Sequence, residues 1–355
     1  MRKIKLGLVG CGGMMTAHLQ GIEFVETVEI TAICDTIPEN VEKVREFLEG
    51  LGQHPFATTD WKEMPDYIDA VMIALPHDLH FECGMFFAYH NKHILMEKPL
   101  CNTEEECVRL IEECEKRSLK FMCAYPVRYW PGVVKLKEFV DTGDYGRVMS
   151  MSIWTEQYTK YDKPNGELHW AHTARIGGGQ LFSHGCHYID ALLWFLGNPV
   201  IGTHIGTRVG TEWILREGTS AVTMKFESGA IAYHGATWGA KGTRLGSDFQ
   251  IQTEEGMLEY ERASGEVRFY HKNGLHHPGE ISENQSYDVL WKRDGANTKE
   301  TQHEIRHFVE CILEDKTPNT NARQSLQSLR VIWALYNAEE NNTVADLRGL
   351  GFENA

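Results

Sequence analysis

The chain has 355 residues, with 35 Lys and Arg against 50 Asp and Glu for a net charge of −15, and 42% of its residues are hydrophobic. Globular domains usually hold roughly 100–200 residues, so this length predicts two cores, and the excess of acid disfavours nucleic acid or anionic lipid as partners, which need clustered Lys and Arg. Apolar runs such as 70–75 fall far short of the roughly 20 residues needed to cross a bilayer, and Arg2 and Lys3 lead straight into strand-like sequence, so neither a membrane span nor a signal peptide is expected.

The first third alternates short β-branched runs with amphipathic stretches of helical length. Strands are expected at 4–9, 29–34, 68–75, 93–97 and 120–124, and helices at 14–24, 38–51, 79–90 and 103–117, with Pro38 in a first turn and Asn102 as a cap. Strict alternation of this kind predicts a parallel sheet covered on both faces. The pattern changes after about Tyr125. From Val148 onward, alternating strands are joined by turn pairs at Ser228-Gly229, Glu255-Gly256 and Ser264-Gly265, which read as antiparallel hairpins. A helical stretch at 181–196 follows the triple glycine 177–179, and helices at 300–313 and 323–339 close the chain. Nine scattered cysteines, with no C-x-x-C pair, read as buried thiols in a reducing cytoplasm rather than as a disulfide framework.

Gly10, Gly12, Gly13, Met14 and Met15 fall where the first strand turns into the first helix, the context a dinucleotide-binding loop requires. Gly10 would allow the tight turn, Gly12 the close approach of a pyrophosphate, and the amides of Gly13 and Met14 would hold phosphate oxygens. Met15 stands where Gly or Ala is usual. Asp35 ends the second strand, 25 residues after Gly10, where a carboxylate accepts ribose hydroxyls and repels a 2′-phosphate. Thr36 follows it with no adjacent Arg, so NAD is expected over NADP.

Three further segments complete a set: Leu75-Pro76-His77 with His80, Glu97-Lys98-Pro99, and Gly177-Gly-Gly through Ser183, His184 and His187. Together with the glycine loop, they make the sequence similar to the Gfo/Idh/MocA family of NAD(P)-dependent oxidoreductases, most of which act on sugars and cyclitols. The resemblance implies a Rossmann domain over 1–124. It also implies an α+β domain over 125–355, built on an open, mostly antiparallel sheet that serves substrate binding and homodimer or homotetramer formation. It implies Lys98 as the catalytic lysine and His187 as the histidine nearest the reacting carbon. Leu75, Pro76, His77, His80, Glu97 and Arg128 are implied to line the cofactor site, with Pro126 replacing an Asn common nearby. The family's usual Asp four residues before His187 is replaced by Ser183, so His184 or Asp190, each three residues from His187, becomes a candidate substitute in the proton relay.

Oxidising a secondary alcohol removes a hydride from carbon and a proton from oxygen. An imidazole, with a reference pKa of about 6.5, suits the proton, and a Lys ammonium suits the developing negative oxygen. Glu156, His169 and Trp170, beside Trp154 and Tyr158, offer the aromatic faces and hydrogen-bonding groups that suit a sugar ring, and the same residues also read as ordinary sheet and loop. His169 with His172 and His184 with His187 have metal-ligand spacing, but no carboxylate ligand accompanies them and no metal is expected. Two alternatives to a dehydrogenase stay open: a glycoside-cleaving enzyme that oxidises its substrate transiently, and a sensor that binds nucleotide or sugar without catalysis. Residues 1–124 carry 12 Lys and Arg against 21 Asp and Glu. An acidic domain that binds pyrophosphate must therefore hold it with backbone amides, which again favours NAD over the more highly charged NADP.

Overall fold

A computed structural model of the protein describes residues 2–159, 169–243, 247–271, 287–295 and 300–355. The first elements are β1 (Ile4–Val9), α1 (Gly13–His18), β2 (Val28–Cys34), α2 (Pro38–Gly50), β3 (Phe56–Thr58), β4 (Ala70–Ile73), α3 (His80–Tyr89), β5 (His93–Met96), α4 (Glu104–Lys116) and β6 (Phe121–Cys123). Then follow α5 (Pro131–Thr142), β7 (Val148–Glu156), α6 (Cys186–Leu196), β8 (Pro199–Thr207), β9 (Thr219–Phe226) and β10 (Ile231–Thr237). The last are β11 (Ser247–Thr253), β12 (Gly256–Glu261), β13 (Glu266–His271), β14 (Tyr287–Lys292), α7 (Gln302–Leu313), α8 (Ala322–Glu340) and β15 (Ala345–Asp346).

Two compact units are drawn from non-contiguous stretches, whereas the sequence reading divides the chain once, between 124 and 125. The first unit comprises Met1–Tyr129, Thr173–Gly177 and Lys299–Leu329, and the second Trp130–His172, Gly178–Thr298 and Arg330–Ala355. In the first, all strands run parallel in the order β3-β2-β1-β4-β5-β6. This is the Rossmann sheet expected from the alternation. Its core joins Leu6, Leu8, Ile30 and Met72 of the strands to Ile305, Phe308 and Val309 of α7, which returns from far downstream to cover this sheet.

The second unit is built on the order β14-β13-β12-β11-β7-β10-β9-β8-β15, antiparallel at every pairing except β10 with β7. It is the expected α+β half, and its hairpins turn where the glycines allow a left-handed backbone, with φ +88 at Gly229 and +70 at Gly265.

Two local expectations need correction. The helix expected over 14–24 stops at His18, because Gly21 takes φ +83 and the chain re-enters as a short 3₁₀ turn, Ile22–Phe24. Asn102 is not the cap of α4. Thr103 is, because Glu106 stands three residues on and completes a reciprocal capping box, while Asn102 Nδ2 donates to the Arg175 carbonyl at 3.2 Å. The helix α5, opened by Pro131, lies in a stretch to which the sequence reading assigns no element. All nine cysteines are buried thiols. No helix among the described residues is long and apolar enough to cross a membrane.

Candidate active site

In the first unit, strand order reverses between β1 and β4, and open parallel sheets bind ligands outside the carboxyl ends of the strands at such a switch. The sequence-derived residues of this half follow those ends: Gly10 after β1, Asp35 after β2, Leu75, Pro76 and His77 after β4, and Glu97 and Lys98 after β5. Gly10 has φ +88, and a Cβ there would lie 2.2 Å from the Ala74 carbonyl oxygen, so no other residue fits. A Cβ at Gly12 or Gly13 would meet nothing within 4 Å, which leaves their backbone open to a ligand. Met14 is 41% exposed beside them, whereas Met15 packs into the core with no exposure, so the unusual third position of the loop is filled inward. With α1 only six residues long, the cradle depends on loop amides more than on a helix dipole.

Asp35 is held by three donors. Its Oδ2 accepts from the Cys11 amide at 2.8 Å and from Asn40 Nδ2 at 3.2 Å, and its Oδ1 from the Ile37 amide at 2.9 Å. Thr36 is exposed next to it, and Leu75 and Pro76 are half-buried. His77 is buried, with Nδ1 2.9 Å from the Ile176 carbonyl; burial, then the positive charges of His80 and Lys98, push it well below the usual imidazole range. His80 has no exposure. Its ring nitrogens lie 2.9 Å from the Pro99 carbonyl and 3.0 Å from that of Leu75, between the segments that follow β4 and β5; burial pushes the imidazole below its usual range, and in the neutral form its one N–H donates to one of the two. Glu97 Oε2 accepts the Lys98 amide at 3.0 Å, and Lys98 itself is half-buried. Arg128, in the 3₁₀ turn Pro126–Tyr129, donates to Gln324 Oε1 at 3.0 Å.

In the second unit, the stretch after the triple glycine begins as a π-helical turn, Leu181–Gly185, and continues as α6. Extra-residue turns of this kind gather at functional sites. It carries Ser183 and His187, both buried, and His184, half-buried, with the two histidine rings 5.7 Å apart and edge to face. Gln157 Nε2 lies 3.4 Å from His184 Nε2, and Gln180 Nε2 lies 3.5 Å from its Nδ1. A neutral imidazole has one N–H and one acceptor nitrogen, so only one of these two glutamine amides can donate to the ring at a time.

Two side chains that sequence reasoning missed hold the start of this turn. Glu217 Oε1 accepts from the Leu181 amide at 3.0 Å and from the Tyr336 hydroxyl at 2.6 Å. That hydroxyl accepts in turn from the Gly179 and Phe182 amides, each at 3.2 Å. A Cβ on Gly179 would collide with the Glu217 carboxylate at 2.1 Å, which accounts for the glycine.

The substrate-binding candidates divide. Along β7, Met151, Ile153 and Thr155 are buried against the helical layer, and Thr155 lies 3.3 Å from His234 beneath Tyr188. Trp154 and Glu156 alternate onto the opposite face, where Glu156 accepts from Thr243. Glu156 therefore faces away from the side of β7 that carries Thr155, while Gln157, one residue on, reaches His184. His169 and Trp170 pack on each other with ring centres 5.6 Å apart, and His169 Nδ1 accepts the Ala171 amide at 3.2 Å. Among the described residues, no three His, Cys, Asp or Glu side chains are arranged to hold a metal ion.

Residues 4–125 match the model of the oxidoreductase family with the NAD-binding Rossmann fold, and residues 133–259 that of the GFO/IDH/MocA C-terminal domain. The chain belongs to the Gfo/Idh/MocA oxidoreductase family. Among the relatives of this Gfo/Idh/MocA protein, levoglucosan dehydrogenase of Pseudarthrobacter phenanthrenivorans is 29% identical over 74% of this chain and 75% of its own. D-xylose 1-dehydrogenase (NADP(+)) 2 of Haloferax volcanii is 24% identical over 79% of this chain and 81% of its own. An uncharacterized oxidoreductase of Streptococcus pneumoniae serotype 4 is 27% identical over 59% of this chain, which spans only 55% of that relative's length. A solved structure of levoglucosan dehydrogenase in complex with NADH matches in fold, with a TM-score of 0.83 and 21% identity over 98% of this chain and 99% of that one.

The residues present fit the cofactor of this NAD-binding family. Gly12 and Gly13 leave bare backbone where a pyrophosphate would lie, and the Asp35 carboxylate is held by three donors at the end of β2, where a carboxylate would meet an adenosine ribose.

Proposed function

We propose that the protein is an NAD-dependent oxidoreductase that moves a hydride between a secondary hydroxyl of a sugar, glycoside or cyclitol and the nicotinamide, with Lys98 and His187 handling the hydroxyl proton. The aligned Asp35 carboxylate beside the open Gly12-Gly13 backbone carries the cofactor half of this reading. The relatives named as dehydrogenases of levoglucosan and D-xylose support the substrate half.

Bound NAD supplies the hydride acceptor. Lys98 donates a hydrogen bond to the substrate oxygen as negative charge grows there, and His187 takes its proton, help of a kind typically worth ~10²–10⁴ in rate. Ser183 brings no carboxylate to orient His187, and His184, steadied by Gln157 and Gln180, serves as the relay in its place. Asp35 selects NAD over NADP by charge. In this reading, residues 1–124 bind the cofactor and 125–355 bind substrate and build a homodimer or homotetramer. The oligomer reading is supported by apolar side chains on the outer face of the second sheet, Ile205 at 73% exposure and Trp154 and Tyr233 at 40% each. The nine buried thiols suit a reducing cytoplasm.

The test is incubation of the purified protein with NAD and a panel of sugars, glycosides and cyclitols. NADH accumulating with an oxidised, otherwise intact product supports the reading. Glycoside cleavage without net NADH would replace it by the elimination reaction. NAD binding without turnover, equally tight in Lys98→Ala, would replace it by the sensor.

A further inference from the structure

Behind the Glu97-Lys98 turn lies a group of side chains that the proposed reaction does not touch. His18, at the end of α1, is 1% exposed, and its Nε2 lies 2.5 Å from Glu97 Oε1. On the other side of the ring, Nδ1 is 3.4 Å from Oε1 of Glu304, a residue in the first turn of α7 with no exposure. Among the described residues, neither Glu304 oxygen has a hydrogen-bond partner, and neither has His18 Nδ1. The second oxygen of Glu97 holds the Lys98 amide. Three elements distant in sequence thus bring two carboxyls to the two sides of one buried imidazole, and the nearer carboxyl is tied directly to the backbone of Lys98.

Two ionised carboxylates cannot share this space cheaply. Glu97 has the close imidazole, the Lys98 amide and the Lys98 side chain to stabilise its charge, whereas Glu304 has only an unaligned ring nitrogen. The charged and titratable groups facing Glu304 are His18 from α1 and Glu97 from the end of β5, with the Tyr129 phenol nearby. Burial and the like charge of Glu97 push Glu304 far above the usual carboxyl range. For Glu97, burial opposes the charge, but the hydrogen bond and charge of His18 and the charge of Lys98 outweigh it and hold the group below its ordinary value.

We propose that Glu304 is a proton-holding carboxylic acid and His18 a positioning residue, which together keep Glu97 as the one anion of the group and so fix the turn that presents Lys98. The role of Lys98 rests on the proposed function, while the protonation of Glu304 does not, and the two are tested separately.

The first measurement is the infrared difference spectrum of wild type minus Glu304→Gln at neutral pH, with NAD as the only ligand. A carbonyl band of a neutral carboxylic acid, shifting in D₂O and absent from the variant, is expected; its absence overturns the proposal. The second is kinetic, on a substrate found in the panel. His18→Ala lowers kcat on the order of 10²-fold with KM little changed and displaces the pH–rate profile, because the lysine turn is no longer held in place. His18→Gln, whose amide can still donate to Glu97, recovers most of the rate, and Glu304→Gln leaves kcat and its pH profile unchanged. A His18→Ala enzyme with wild-type kcat and pH profile overturns the positioning role. Should His18→Ala fail to fold, His18→Gln decides the matter: a rate as low as that of Lys98→Ala counts against it. If Lys98→Ala keeps full turnover, the proposed function fails while the infrared band still reports on Glu304.

Discussion

Replacing Tyr336 by Phe removes one oxygen from the start of the turn that carries Ser183, His184 and His187. Tyr336 is 5% exposed, and its hydroxyl donates to Glu217 at 2.6 Å and accepts from the Gly179 and Phe182 amides. Burial and the Glu217 charge push the phenol well above its ordinary range, so it stays a donor at any ordinary pH. A hydrogen bond to a charged group contributes about 1.5–3 kcal/mol, and a buried donor left unpaired costs about 1–3 kcal/mol. Glu217 keeps its bond from the Leu181 amide, and water entering the space left by the oxygen recovers part of the loss at the two amides, so the net cost is about 3 kcal/mol. For a folding unit of this size, that lowers Tm by roughly 6–12 °C. Differential scanning calorimetry of wild type and Tyr336→Phe reads it directly. The ring and its stacking under Arg216, 3.8 Å away, are unchanged by the substitution, so the measurement isolates the oxygen. A Tm within about 1 °C of wild type would refute the claim that this hydroxyl and Glu217 hold the turn.

Two further outcomes are expected. Asp35→Ala removes the acceptor of three donors, and fluorescence titration is expected to show NAD binding weakened on the order of 10-fold while NADP binding improves relative to it; an unchanged NAD to NADP ratio would contradict the role given to Asp35. His234 is pushed down to about 3, chiefly by burial and then by the positive charge of His204. The unfolded chain therefore takes up a proton below about pH 6.5 that the folded protein refuses, and stability present above that pH is lost as pH falls toward about 3, by up to about 1.4 kcal/mol per pH unit. Urea midpoints measured from pH 7 to pH 4 should show this slope, and His234→Gln should make it shallower by about one proton.

Much of the first unit was legible because its information is local. The glycine loop, Asp35 and the Glu97-Lys98-Pro99 turn are short segments whose strand context is set by their own neighbours, and the parallel sheet follows from alternation alone. The sequence makes α1 look longer than it is because apolar spacing continues past Gly21, whose left-handed backbone does not allow the helix to run on. Partners that come from far away were not legible. Glu304 reaches His18 across 286 residues of chain and Tyr336 reaches Glu217 across 119, and no spacing rule connects either pair. The placement of Glu156 away from His184 is hidden for a different reason. Alternation along β7 separates Thr155 and Gln157 from Trp154 and Glu156, but the sequence does not say which of the two faces carries the helices.

The central claim is that Lys98 and His187 carry out the proton chemistry of an NAD-dependent oxidation. It is tested most directly by single-turnover formation of NADH from a substrate of the panel in wild type, Lys98→Ala and His187→Ala, with NAD affinity measured alongside. Hydride transfer is expected to slow by ~10²–10⁴ in each variant, with NAD affinity within a few-fold of wild type. Hydride transfer at the wild-type rate in either variant would contradict it.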